Sequence, residues 1–570
     1  MTTTTAHSTV TSQTVGDFLL RRLREAGIAH LFGVAGDFNL EFLLQMEDGG
    51  DFVWVGNCNE LNAAYAADGY ARLNGLSGLV VTQGVGAWSA INGVAGAYSE
   101  HVPVVCVCGS LPLKSLDRGL LMHHTTADTD YDSVLRGYAQ VTAAQTRLTP
   151  RNAAAEIDRL ILTAWQRKLP VYLELPSDIA YLNVEVPAEP LELAMPPSDP
   201  ERLRTCADSI VARLASARSP AILMDLDADR FGVSGELEEI AGKLQIPIAA
   251  INTAKGVIDE TNPHFLGLYA GVGSKPDVRD AVETSDGLLA VGVRRVDTTS
   301  GGFNDALPAE RIDARGDSVD IGPDNYQAVY LKELLRRVAD SVPSRQPVSR
   351  RMADETHEPT TTVPSGPLTQ AAYWAMIQDF VREGDVLIAE DGTSEAGGWG
   401  LQLPPRCSFI TQAVWGSIGY TVGSVLGTLL AAPERRHLLF VGDGSFQLTA
   451  QEVSTMLRHD LKPIIFLINN GGYTVERTIC GKDGHFNDVA NWAYAELPKV
   501  LHPGTTARTF VVRTTAELQE ALAAPHDSMI FIEAVMDKYD APQAVIDAGH
   551  GMAEVDYGPR GPQHRPGVQI

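Results

Sequence analysis

Asp443 and Asn470 are the residues whose types and spacing most directly specify chemistry: a carboxylate inside Gly442-Asp443-Gly444 and an amide inside Asn469-Asn470. Each follows an apolar run, Leu438 to Val441 and Ile464 to Ile468, with the length and composition of a buried parallel strand. Strand, glycine turn, amphipathic helix and second strand therefore converge on one point. The glycines let the backbone approach a ligand, and the helix start offers free N–H groups and a positive dipole end to a diphosphate. Asp443 and Asn470 add hard oxygen ligands for the Mg2+ that a diphosphate requires. Taken alone, the glycine motif also fits an ordinary strand-to-helix turn with Asp443 as N-cap.

The pairing is more specific than either half. GDG, 24 residues (445 to 468) and NN together resemble the signature of thiamine diphosphate-dependent enzymes, and GDGS with NNGGYTVE is similar to the 2-keto acid decarboxylase branch. That branch comprises pyruvate, indolepyruvate, phenylpyruvate and branched-chain keto acid decarboxylases. The resemblance implies thiamine diphosphate and Mg2+ as cofactors, with Asp443, Asn470 and the Gly472 carbonyl on the metal and Gly444, Ser445 and Thr393 on the diphosphate. GNCNELNAAYAADGYAR resembles the segment that carries the activating glutamate, giving Glu60 the pyrimidine N1′. Asn57 with Glu60 three residues on also fits a capping box.

By the same resemblance, Ile418 in Trp415-Gly416-Ser417-Ile418-Gly419 is the apolar wedge under the cofactor rings, the Gly416 carbonyl accepts from the 4′-amino group, and Val475 lines the pocket. Asp37, His123, His124 and Glu476 match the family's acid/base positions. Singly, Asp37 could be an N-cap, the histidines a solvated loop and Glu476 a surface acid. The activity implied is non-oxidative decarboxylation of a 2-oxo acid to an aldehyde and CO2, with Asp37 and His124 as a proton relay and Glu476 nearest the carboxylate that is lost. Val475 replaces the isoleucine usual in pyruvate specialists, and Glu395-Ala396 stand where bulky aromatics often line the site. This predicts a substrate larger than pyruvate, aromatic or branched-chain. Glu395 either faces solvent or meets a polar or cationic substrate tail. The alternatives are pyruvate decarboxylase proper, an acetohydroxyacid synthase-like carboligase, and a non-catalytic assembly homologue. The last would be expected to lose Glu60 or Asp443, and both are present.

The elements that must position these residues alternate strand and helix along the chain, which predicts an α/β protein of three doubly wound parallel-sheet domains. LVVTQGVG, helix, SEHVPVVCVCG repeats the order of LLFVGDG, helix, RHDLKPIIFLIN, so the first and third domains read as duplicated cofactor-binding units. Only the second copy carries the Asp and Asn that a metal needs. The expected boundaries are a disordered tail 1–13, a pyrimidine-binding domain 14–185, a central domain 202–342, a diphosphate-binding domain 368–545 and an extended C-terminal arm 546–570. Pro-rich stretches at 186–201 and 343–367 read as linkers.

A formal charge of −26 argues against nucleic acid or anionic membrane as partner. No run of about 18 apolar residues is present to span a bilayer. The Thr/Ser-rich start lacks the apolar core of a signal peptide, so a cytoplasmic location is expected. Six cysteines without metal-type or disulfide-type spacing read as buried or free thiols. The cofactor must touch both duplicated domains, and the resemblance places these on different subunits: a homodimer at minimum, extended to a homotetramer.

Overall fold

The computed structural model describes residues 10–346, 365–561 and 564. Packing divides them into two compact units, the first made of residues up to 195 with 422–433 and 451–456, the second of the remainder.

In the first unit, β1 (Val10–Thr14), β2 (His30–Gly33), β3 (Val53–Gly56), β4 (Ser77–Thr82), β5 (Val104–Ser110), β6 (Ala144–Arg147), β7 (Val171–Pro176) and β8 (Asn183–Pro187) follow one another in the chain. Six of them form a parallel sheet in the order β3-β2-β4-β5-β7-β6. The inner strands β4, β5 and β7 are buried along their whole length, as continuous apolar runs covered on both faces must be. Phe18, Leu19 and Leu23 of the helix Val15–Glu25, with Ile157, Leu160 and Ile161 of the helix Ala153–Arg167, fill one face against Val105, Val107 and Leu173.

The second unit holds two sheets. β9 (Pro220–Met224), β10 (Ile248–Ile251), β11 (Phe265–Tyr269), β12 (Gly287–Val291), β13 (Ile312–Ala314), β14 (Ser318–Ile321) and β15 (Asp324–Gln327) form the first, ordered β11-β10-β9-β12-β13-β14-β15. It is parallel only through β13; β14 and β15 run antiparallel, because tight turns at 315–317 and at Gly322, whose φ is 59°, reverse the chain too quickly for a crossover helix. The second sheet contains β16 (Val386–Ala389), β17 (Ser408–Ile410), β18 (His437–Gly442), β19 (Ile464–Asn469), β20 (Arg508–Val512) and β21 (Ile530–Val535), ordered β17-β16-β18-β19-β21-β20. Numbered within its own domain, this is the strand order of the first unit's six-stranded sheet.

Three expectations are corrected at the ends of the domains. Residues 10–13, expected in a disordered tail, belong to β1, which pairs antiparallel with β8 from Val10 opposite Pro187 to Thr14 opposite Asn183; the remainder of that tail lies outside the described residues. The stretch 186–201 is linker only in part, since β8 reaches Pro187 and a helix begins at Pro200, capped by Asp199. The segment expected as an extended arm is helical from Gln543 to Tyr557. Gly549 serves packing: a Cβ there would fall 2.5 Å from the Thr478 carbonyl oxygen. Residues 347–364 of the second linker, and 562–563 with 565–570 of the arm, lie outside the described residues. Among the described residues no helix is long and apolar enough to cross a membrane.

Candidate active site

β18 delivers Asp443 as the first residue of the short helix Asp443–Thr449, with Gly442 as N-cap. The Asp443 side chain does more than close a turn. Its Oδ1 accepts from the Gly444 N–H (2.8 Å) and its Oδ2 reaches across to accept from Gly471 N–H (2.7 Å), in the loop that follows β19. Burial pushes the Asp443 carboxyl up to about 6, and those N–H groups act against that rise. Asn470 donates its Nδ2 to Thr474 Oγ1 (2.8 Å), which leaves its buried Oδ1 without a hydrogen-bond partner. A buried carboxylate joined to the loop of an orphaned amide oxygen is the donor chemistry of a hard divalent cation. Gly472 has φ 140°, and a Cβ there would lie 1.9 Å from the Asn487 carbonyl oxygen, so this loop admits only glycine. Ser445 is buried three residues past Gly442, and Thr393 opens the helix Thr393–Trp399 after β16.

A second group forms around the turn from Gly416 to Thr421. Gly416 is exposed with φ 60°, and Ile418 is half-buried just before the helix Tyr420–Ala431. Glu390, at the end of β16, lies buried beneath this turn. It accepts from Gly419 N–H (3.2 Å), Thr421 N–H (3.3 Å), the Thr421 hydroxyl (2.6 Å) and Asp391 N–H (3.2 Å). Burial, with the Asp391 charge, pushes Glu390 up to about 7. Asp391 itself faces the open side, with its Oδ2 at 3.4 Å from where a Gly416 Cβ would sit. Protein mass on its other sides, then the Glu476 charge, raises its carboxyl, opposed by hydrogen bonds from Gly392 N–H and with Glu395. Gly392 packs toward Val475, 3.4 Å from its would-be Cβ to Val475 Cγ2. Gly416, Asp391, Val475 and the exposed Glu476 are thus gathered on one wall.

Glu395 does not face solvent, one of the two alternatives open from sequence. It is buried, and the Thr411 hydroxyl donates to its carboxylate. Neither Glu390 nor Asp391 is among the residues the sequence singles out. The signal is present: an acid doublet directly after a four-residue apolar strand, the placement that makes Asp443 conspicuous.

In the first unit, Asp37 Oδ2 lies 2.7 Å from His123 Nε2, and Asp37 Oδ1 lies 3.9 Å from His124 Nε2. Phe38 stacks on the His123 ring at 4.9 Å. Asp37 is not a helix cap, since Asn39 holds that place. The glycine turn of the first repeat, Gly84 to Gly86, receives the histidine loop: a Cβ on Gly84 would lie 1.9 Å from the His124 carbonyl oxygen, and His124 adopts φ 61°. Beside it opens a cavity of about 400 Å3 lined by Gln83, Val85, Trp88, His124, Tyr131 and Val134.

Glu60 is the first residue of the helix Glu60–Asn74, and Asn59, not Asn57, is its N-cap, accepting from Asn62 N–H (2.8 Å). The capping-box alternative for Glu60 therefore fails. Its Oε1 stands 3.1 Å from a would-be Cβ on Gly86. The helix is held by close backbone approach: Cβ atoms on Gly69 and Gly427 would meet the carbonyl oxygens of Ser424 and Ala66 at 2.2 and 1.9 Å.

Three thiamine pyrophosphate enzyme profiles match the chain: the N-terminal TPP binding domain over 13–133, the central domain over 207–334 and the C-terminal TPP binding domain over 392–534. This defines the class as a thiamine diphosphate enzyme. Pyruvate decarboxylase of Aspergillus fumigatus is 39% identical over 549 residues, covering 93% of this chain and 95% of that protein. Alpha-keto-acid decarboxylase of Mycobacterium avium is 38% identical over 551 residues, covering 95% and 97%. A solved structure of a Rhodococcus jostii thiamine diphosphate-dependent 4-hydroxybenzoylformate decarboxylase superposes with a TM-score of 0.74 over 92% of this chain and 99% of that one, at 21% identity, which speaks to the fold. The chain belongs to the thiamine diphosphate-dependent 2-keto acid decarboxylase family, whose members are carboxy-lyases.

Proposed function

We propose that the chain decarboxylates a 2-oxo acid larger than pyruvate, aromatic or branched-chain, to the aldehyde and CO2. The observation that carries the cofactor half is the orphaned Asn470 Oδ1 beside the buried Asp443 loop. Asp443, Asn470 and the Gly472 carbonyl hold Mg2+, and Gly444, Ser445 and Thr393 hold the diphosphate. When bound, thiamine diphosphate supplies the electron sink for the electron pair that CO2 leaves behind.

The protein's own groups do the rest. Glu60 would hold the pyrimidine end of the cofactor through a proton, with the Gly416 carbonyl as acceptor for its amino group and Ile418 as apolar support for its rings. Asp37, paired with His123 and near His124, keeps a proton within reach of the carbon that becomes the aldehyde. Glu476 borders the carboxylate being lost, and exclusion of water from that carboxylate on substrate binding favours departure as neutral CO2. The active assembly is a homodimer at minimum, extended to a homotetramer. Exposure of Val85, Trp88 and Leu121 around the histidine loop supports a covering surface there.

Val475 and Ala396 support the larger substrate; relatives named pyruvate decarboxylase make pyruvate the competing one. Turnover of pyruvate, 4-methyl-2-oxopentanoate and phenylpyruvate with Mg2+ and thiamine diphosphate tests this. The larger acids are expected to give the higher kcat/KM, and a strong pyruvate preference rejects the large pocket. Acyloin in place of aldehyde as main product would identify a carboligase.

A further inference from the structure

We infer that Glu452 is a positioning residue that fixes Glu60 for its work on the cofactor, an inference that rests on the role proposed for Glu60. Glu452 closes the turn Ala450–Glu452 before the helix Val453–Arg458, and it is fully buried. Its Oε1 accepts from Asn57 Nδ2 (2.8 Å), and its Oε2 accepts from Cys58 N–H (3.2 Å) and Asn62 Nδ2 (2.8 Å). The three donors bracket Glu60 in the chain, two before it and one after.

Asn57 extends the clamp, since its Oδ1 accepts from Gly33 N–H (3.1 Å) at the end of β2. The Cys58 thiol adds a bond to the Gln451 carbonyl (3.3 Å).

Among the described residues no basic side chain pairs with Glu452. A carboxylate buried without a cation is costly unless N–H donors satisfy it, and three do. An apolar side chain would fill the same space; what the carboxylate adds is a fixed angle for donors on both sides of Glu60. Glu60 sits at the first position of its helix, where the intrahelical ladder holds the backbone least. A displacement of about 1 Å at a reacting group can cost on the order of a hundredfold in rate, so the clamp governs activation more than cofactor affinity.

Glu452→Gln keeps the shape but gives the site one donor too many, turning an amide against Asn57, Cys58 or Asn62. Pairing it with Asn57→Asp inverts one hydrogen bond: the carboxylate introduced at position 57 accepts from the new amide and keeps the bond to Gly33. The readout is hydrogen–deuterium exchange at C2 of thiamine diphosphate bound to the holoenzyme at saturating cofactor and Mg2+, with kcat and the substrate KM beside it. Glu452→Gln is expected to slow exchange and kcat by about tenfold or more with KM within about threefold, and the double variant to recover most of the loss. Exchange in Glu452→Gln at the wild-type rate overturns the inference, as does a loss that the double variant fails to recover. If Glu452→Gln does not fold, Asn62→Ala removes one donor and is expected to slow exchange by about threefold; an unchanged rate there is equally fatal. Glu60→Gln is the separate control: wild-type exchange in that variant removes the role proposed for Glu60 itself.

Discussion

Replacing Glu390 by glutamine tests whether the turn carrying Gly416 and Ile418 rests on a carboxyl that changes charge near neutrality. Burial, then the Asp391 charge, moves Glu390 from 4.5 up to about 7 in the folded chain. The fold thus favours the protonated form. Its stabilising contribution is fully present below pH 4.5 and is lost as pH rises through about 7. The whole span corresponds to about 3 kcal/mol, of which about 2 kcal/mol falls between about pH 5.5 and 8.5. The lower limit stays clear of the sequence pI of 4.9, where solubility is poorest.

Glu390→Gln cannot titrate. Its amide confronts one of the N–H groups of Asp391, Gly419 or Thr421, a cost independent of pH. Melting temperatures of the cofactor-free wild-type and variant chains, taken across that range, separate the two effects. The wild type is expected to lose ground steadily against the variant as pH rises, by roughly several degrees over the range. A difference that stays flat with pH refutes the account of Glu390 as a carboxyl held protonated by its surroundings.

Asp443→Asn should weaken Mg2+-dependent binding of thiamine diphosphate by at least about tenfold in titration calorimetry, because the amide removes the ionised ligand. Glu476→Gln should lower kcat about a hundredfold with the cofactor still bound, and decarboxylation at the wild-type rate would displace Glu476 from its place beside the lost carboxylate. Gly427→Ala puts a methyl group 1.9 Å from the Ala66 carbonyl oxygen and should cost about 1–3 kcal/mol, seen as a lower melting temperature; an unchanged one would mean the helices separate freely.

Much of the candidate site is legible because its residues sit where apolar strands stop. Asp443 and Asn470 follow β18 and β19 with glycine around them, a pattern readable without coordinates. Glu390 and Asp391 occupy the same kind of position after β16 but escape notice, because two adjacent acids read as a solvated turn until Gly419 and Thr421 fold back over one of them. Glu452 has no local signal at all: its partners lie nearly four hundred residues earlier in the chain, and only tertiary packing pairs them. Chain ends mislead for opposite reasons. Val10–Thr14 is mostly polar yet finds an edge strand in β8, and Gly549 suggests slack where it allows close contact. The β14–β15 hairpin lies beyond a reading built on alternating strands and helices.

The two cofactor-type sheets share one strand order, yet their glycine turns are not equivalent receptors. In the first copy the His124 carbonyl oxygen, the negative end of a peptide dipole, is lodged against Gly84 where a Cβ could not fit. An anion cannot lie there. At Gly442, the matching position of the second copy, nothing lies within 4 Å of where a Cβ would sit, so that turn stays open. Two turns alike in sequence order thus differ in what they leave accessible: a backbone carbonyl fills one, and the other is clear.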